Sequence, residues 1–233
     1  MGGRGSFSTV HGGVASSSNG AGSLYVSEEP ETREDIRKLF IDELGFSELY
    51  GTNKIPTAQL AALAIELKKY ERKYNAINDG KTYLSITNEE GVMGAAMQMR
   101  GGSKMMFINP DYHTSVKNSN SILKAEQKSG YVTKTNNEVN KQFTYTGRHE
   151  YGHLLQYTMR KQIGGSADQA DNKMRQEIRN IATTKYGAKE KNPSAYGSTN
   201  RREFFAESFA SMTGGNPNAY GKAMNDWLKK RGK

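Results

Sequence analysis

His149-Glu150-Tyr151-Gly152-His153 is an H-E-x-x-H sequence set inside a helical pattern that runs from about Asn140 to Lys161. Residues four apart stand one turn apart on the same helix face, so both imidazoles reach a single ion. Glu150 lies about 100° round the axis from His149, beside such an ion rather than on it, where a carboxylate takes a proton from a metal-bound water. A second histidine at this spacing, with an acid directly after the first, arises by chance roughly 0.005 times in a chain of this composition. Gly152 sits inside the helix, where glycine costs about 1 kcal/mol relative to alanine. Its presence predicts a packing reason, such as a strand or a substrate passing close to the backbone, the alternative being that tertiary packing absorbs the cost.

The rest of the composition narrows the ligand set. The chain has 233 residues, no cysteine and four histidines, His11, His113, His149 and His153. Thiolate ligands, disulfides, iron–sulfur clusters and a cysteine nucleophile are thereby excluded. A closed structural zinc site takes four protein ligands, and a catalytic one usually takes three and a water. Where a metzincin places a further histidine, six residues after the second, this chain has Met159. His11 lies in a Gly/Ser-rich arm and His113 in a polar, loop-like stretch. The third ligand is therefore expected from an Asp or Glu on a later helix.

The best candidate region is Tyr196-Gly-Ser-Thr-Asn-Arg-Arg-Glu203-Phe-Phe-Ala-Glu207-Ser-Phe209. Glu203 and Glu207 form an i,i+4 pair that repels slightly on an isolated helix. A bound cation and a histidine N–H turn that cost into a gain. A local competitor exists, because Asn200 followed by Glu203 resembles a capping box, and a Glu203 engaged in capping cannot ligate.

Working outward, residues 1–30 read as a flexible Gly/Ser-rich arm and residues 31–233 as one domain. Helices are expected within 31–76, notably Arg33 to Leu44 and Thr57 to Tyr74, the second stopped by Asn78-Asp79-Gly80. Short strands follow at Thr82 to Ile86, Met93 to Met99 and Met105 to Ile108, with the look of an antiparallel sheet over 82–108. Residues 112–139 are polar and irregular, a surface insertion or covering loop. Catalytic helices fill 140–231, near 140–161, 168–186, 200–214 and 217–230. The class is α+β, a small antiparallel or mixed sheet packed on the active-site helix with a mostly helical C-terminal part.

Taken together, His149-Glu-Tyr-Gly-His153 and the downstream Tyr196-Gly-x-Thr-Asn-x-x-Glu203-Phe-Phe-Ala-Glu207 resemble the catalytic domain of anthrax lethal factor and its relatives, which are gluzincin metalloproteases. The resemblance spans roughly Thr82 to Trp227 and is specific in the blocks 149–153 and 196–209. It implies a zincin-like fold with one Zn2+ held by His149, His153 and Glu203, and Glu150 as general base. It further implies that Tyr196 donates a hydrogen bond to the tetrahedral intermediate and that Glu207 orients a ligand histidine. A strand before the active-site helix lines the cleft in that family, and Met105 to Ile108 is placed there. The toxin's receptor-binding and substrate-docking regions have no counterpart, and 154–195 aligns poorly.

The expected function is zinc-dependent endopeptidase on a protein or peptide substrate. The alternative is a non-catalytic phage or virion structural or binding protein that retains the fold, with head-protein association; Gly2-Gly-Arg-Gly-Ser6 weakly resembles a segment of phage head-morphogenesis proteins. The formal charge is +9, mean hydropathy is −0.80, and part of the chain is expected to be extended. Basic clusters at Lys68, Lys69, Arg72 and Lys73 and at Lys229, Lys230, Arg231 and Lys233 carry no nucleic-acid motif, so they are read as solvated faces. Gly2 with Ser6 fits a loose N-myristoylation pattern. No stretch suits a membrane span or a secretory leader, so a cytoplasmic, virion-associated or leaderless exported protein is expected.

Overall fold

Local signals start and stop most of the elements. In the computed structural model, which describes residues 32–135 and 141–233, Thr32 and Asp35 close a reciprocal capping box at the start of α1, Arg33–Lys38. That helix widens into a π-type turn over Leu39–Glu43. Strand β1, Glu48–Tyr50, follows. Helix α2, Thr57–Tyr74, buries Leu60, Leu63, Ala64, Leu67, Tyr70 and Tyr74 along one stripe. It ends three residues before the Asn78-Asp79-Gly80 signal, at Asn75, whose φ of 51° is left-handed. The carboxylate of Glu71 receives the freed N–H groups of Ala76, Ile77 and Asn78.

Strands β2, Thr82–Ile86, β3, Gly94–Gln98, and β4, Lys104–Ile108, complete a four-stranded mixed sheet of order β1-β2-β4-β3. Only β3 and β4 pair antiparallel; β2 runs parallel to both β1 and β4. The antiparallel look of 82–108 is thus corrected to a mixed sheet, and β1 adds a strand that three residues could not announce. Parallel pairing sets Leu84 against Met106 and Ile86 against Ile108, and all four enter the core on one face. The small Gly94-Ala95-Ala96 strand is left to the edge. Met105 to Ile108 is interior, and although β4 also touches the helix that carries His149, the strand that borders the cavity beside Glu150 is β3 rather than the expected β4.

The stretch 112–139 is corrected as well. Ser115 caps α3, Val116–Ser129, which ends at a left-handed Gly130. Its apolar stripe is thin, with Leu123 as its buried hydrophobic side chain, so little period shows. The remaining helices stand near their expected bounds: α4, Lys141–Ile163, α5, Ala167–Tyr186, α6, Arg201–Thr213, and α7, Ala219–Lys229. Helix α4 is the axis of the molecule and packs on α2, α3, α5, α6, β3 and β4. The expected arm at 1–30, with His11 and the Gly2 acceptor pattern, lies outside the described residues. No described helix is long and apolar enough to cross a membrane.

Two glycines let α4 be approached so closely. A Cβ on Gly147 would lie 2.2 Å from Leu63 of α2, and one on Gly152 would lie 2.9 Å from the Cα of Ala206 in α6. The packing reason at Gly152 is therefore a neighbouring helix rather than a strand or substrate. Because backbone cannot yield as a flexible side chain does, Gly152→Ala is expected to cost about 1–3 kcal/mol in denaturant melts. An unchanged midpoint would refute the close approach.

His113 ends a short turn after β4 and is fully buried. Burial pushes its pKa from 6.5 down to about 4. Between those values the unfolded chain binds a proton that the folded chain does not, so stability is complete above the upper value and falls as pH drops toward the lower one. The effect is on the order of 3 kcal/mol at its limit. Urea melts from pH 7 to pH 4 should show His113→Gln with a shallower pH dependence than the parent chain.

Candidate metal centre and its cavity

The H-E-x-x-H segment occupies the middle of α4, and the close packing at Gly152 and Ala206 brings α6 across it. One ligand atom each from His149, His153 and Glu203 then lies within 4.8 Å of the others. The Oε2 of Glu203 is 2.8 Å from Nε2 of His149 and 3.3 Å from Nε2 of His153. The capping competition leaves the Glu203 carboxylate out of the cap. Asn200 receives the N–H groups of Arg202 and Glu203, while the Glu203 side chain turns to the histidines.

The other nitrogen of His149, Nδ1, is held by Glu207 at 3.0 Å. Glu207 is fully buried and accepts three further hydrogen bonds, from the Thr133 N–H at 2.9 Å, the Tyr145 hydroxyl at 2.6 Å and the Ser194 hydroxyl at 2.6 Å. With Nδ1 committed to Glu207, Nε2 is the nitrogen directed at Glu203 and the one left to ligate an ion when its proton is lost. Two imidazole nitrogens and one carboxylate oxygen, with the ring of one histidine fixed from behind, fit a borderline divalent cation such as zinc. The donor set matches iron(II) as well, so the residues alone do not discriminate between these ions.

Charge follows the same geometry. Burial opposes a proton on His149, yet Glu203 and Glu207 outweigh it and hold its pKa well above the ordinary value. Burial acts against ionised Glu203 too, and the two histidines overcome it, keeping that carboxyl well below the usual range. Glu150 goes the other way: burial raises its pKa against the pull of both histidines. Its Oε2 is buried and has no hydrogen-bond partner among the described residues.

Glu150 borders a cavity of about 290 Å³ together with His149, Tyr196 and the edge-strand residue Gly94. A side chain at position 94 would come within 3.0 Å of a Glu150 oxygen, so glycine there leaves room beside the carboxylate. Tyr196 opens a short turn, Tyr196–Ser198. Its N–H donates to the Tyr131 carbonyl at 2.8 Å, and its ring lies 5.5 Å from that of His149. Burial, then the charges of Glu203 and Glu150, push its phenol pKa up, so it stays a hydroxyl donor.

All six candidate residues are accordingly brought together: His149, His153 and Glu203 as a convergent set, Glu207 behind His149, and Glu150 and Tyr196 on the adjoining cavity. His113 is not in the set. Sequence reasoning missed the holders of Glu207. Tyr145 carried a usable signal, since it stands four residues before His149 on the same face; Thr133 and Ser194 carried none. It also missed Glu71, which accepts the Tyr151 hydroxyl at 2.8 Å and ties α2 to α4 beside Glu150. The basic clusters are partly engaged, with Lys68 paired to Glu43, Arg231 to Glu177 and Lys233 bonded to the Tyr74 carbonyl.

Searches against family models, curated proteins and solved structures return no match for this chain.

Glu207 accepts four donors, so an amide in its place would oppose at least one N–H or O–H. Glu207→Gln is expected to weaken binding of added zinc about 10–100-fold in a competitive chelator titration. Wild-type affinity in that variant would remove Glu207 from the support of His149.

Proposed function

We propose that this chain is a zinc-dependent endopeptidase with a zincin-like fold of the lethal-factor-like gluzincin type. The reading is carried by the convergence of His149, His153 and Glu203 beside a cavity that Glu150 and Tyr196 share. His149, His153 and Glu203 would hold the ion, whose chemistry when bound is to polarise a peptide carbonyl and make water acidic enough to lose a proton near neutral pH.

The protein's own groups account for the remaining steps. Glu150, its carboxyl buried and its pKa raised, is placed to take the proton from water as that water attacks. It then passes the proton to the leaving amine. Tyr196 donates its hydroxyl to the oxygen on which negative charge develops. Glu207 fixes the His149 ring so that the ligand set keeps its geometry.

Strand β3 offers a place for an extended peptide. Its inward bonds to β4 include the Met93 carbonyl with Asn109 and the Met99 N–H with Ser103, so by alternation the main-chain groups of Gly94, Ala96 and Gln98 face outward. The Ala96 carbonyl is taken by the Tyr157 hydroxyl of α4 at 2.7 Å. That leaves the Gly94 end, next to Glu150, for main-chain pairing with a substrate strand.

The decisive measurement compares the parent chain with Glu150→Gln on a diverse peptide library, with metal content read in parallel. The variant should keep about one zinc per chain and lose cleavage by about 10²–10⁴-fold. An unaffected cleavage rate would overturn the assignment. Zinc binding with no cleavage by the parent chain would favour the non-catalytic binding reading.

A further inference from the structure

The cavity beside Glu150 extends beyond the groups that do chemistry. Its far wall comes from the end of α3 and the segment after it, through Glu126, Tyr131 and Val132, and its other walls include Val92, Met93 and Tyr145. Most of these surfaces are apolar or aromatic. Glu126 is the exception. It is half-buried, and among the described residues no Lys, Arg or His pairs with it and its carboxylate makes no hydrogen bond.

Glu207 borders the same space, but four donors occupy its oxygens. Apart from Glu150 beside the histidines, Glu126 therefore holds the free acceptor capacity of the wall. Burial and the nearby Glu207 charge both push its pKa up, a strain that a cation placed between wall and solvent would relieve.

We propose that this cavity is a subsite for a cationic side chain, Lys or Arg, of the polypeptide next to the cleaved bond, with Glu126 as its counter-charge. The proposal rests, for the word cleaved, on the peptidase reading above; the cation site itself does not. The shape suits such a side chain. A methylene stem packs on Val92, Met93 and Val132 while its charged head reaches Glu126. Two aromatic residues, Tyr131 and Tyr145, line the same space, and aromatic rings attract cations. A neutral apolar side chain would leave the carboxylate half-buried and unpaired, and an acidic one would face two like charges, so the pocket discriminates by charge more than by size.

The test uses the full chain and two probes of equal size, n-butylguanidinium chloride and neutral n-butylurea, titrated by NMR at low salt. The guanidinium should bind about tenfold more tightly. Glu126→Gln, isosteric and at a half-exposed position, should keep the parent melting midpoint and abolish the difference. In parallel, the zinc-loaded chain is profiled on a peptide library. Lys or Arg should be preferred at one position adjoining the cleaved bond, with kcat/KM for those peptides falling about tenfold in Glu126→Gln and unchanged for norleucine peptides. Equal binding of the two probes, or a preference that survives Glu126→Gln, overturns the subsite. Selective guanidinium binding without any peptide cleavage upholds the subsite and removes the peptidase reading instead.

Discussion

The buried carboxylate of Glu207 is the joint on which the site depends. It stands on α6, yet its four donors come from α4, from the segment after α3 and from the loop before Tyr196. A buried charge of this kind is tolerable only when its lone pairs are used. Satisfying it therefore draws three otherwise separate parts of the chain to one point. His149 is one of the donors, so the requirement that stabilises the carboxylate also orients the ring.

Steric permission comes from glycine. Helix α4 must touch α2 on one side and α6 on another, and Gly147 and Gly152 remove the side chains that would keep them apart. The cost of glycine within a helix is small beside what the approach allows, because aromatic groups then fill the contact. Tyr70, Tyr74 and Tyr151 pack around Phe209 with ring centres 5.5 to 5.6 Å apart. The same approach sets Glu203 one turn ahead of Glu207, opposite the two histidines. Packing and ligand geometry are thus one arrangement, and Glu71 bonded to Tyr151 secures it from the α2 side.

The cavity inherits its character from what surrounds that joint. The edge strand supplies a glycine against Glu150, and the turn at Tyr196 is fixed by main-chain bonds of Ala195 and Tyr196 to Gly130 and Tyr131. Those bonds also place the end of α3 across the cavity from β3. A stretch that reads as polar filler therefore carries one wall of the site, including Glu126.

Long helices were legible because a 3.6-residue period over four or five turns is a strong signal; α2 spans Thr57–Tyr74 as its Leu and Tyr spacing predicts. The ligand pair and Glu150 were legible because their geometry is local to one helix. Glu207 was legible as the i,i+4 partner of Glu203, its role and that of Tyr196 came through resemblance, and of their surroundings only Tyr145 left a trace. Strand order was not legible either, since the alternation in 82–108 is the same whether β4 lies outside β3 or between β2 and β3. Helix α3 escaped because a mostly polar helix has little period to read. What the residues determined on their own is therefore chemistry of short range: H-E-x-x-H on one helix face, no thiol, and a carboxylate as the expected partner of the two histidines. Only the tertiary structure decided which carboxylate faces the histidines, which strand borders the cavity and which acid is left unpaired in its wall, because each depends on contacts between segments whose separation in sequence carries no periodic trace.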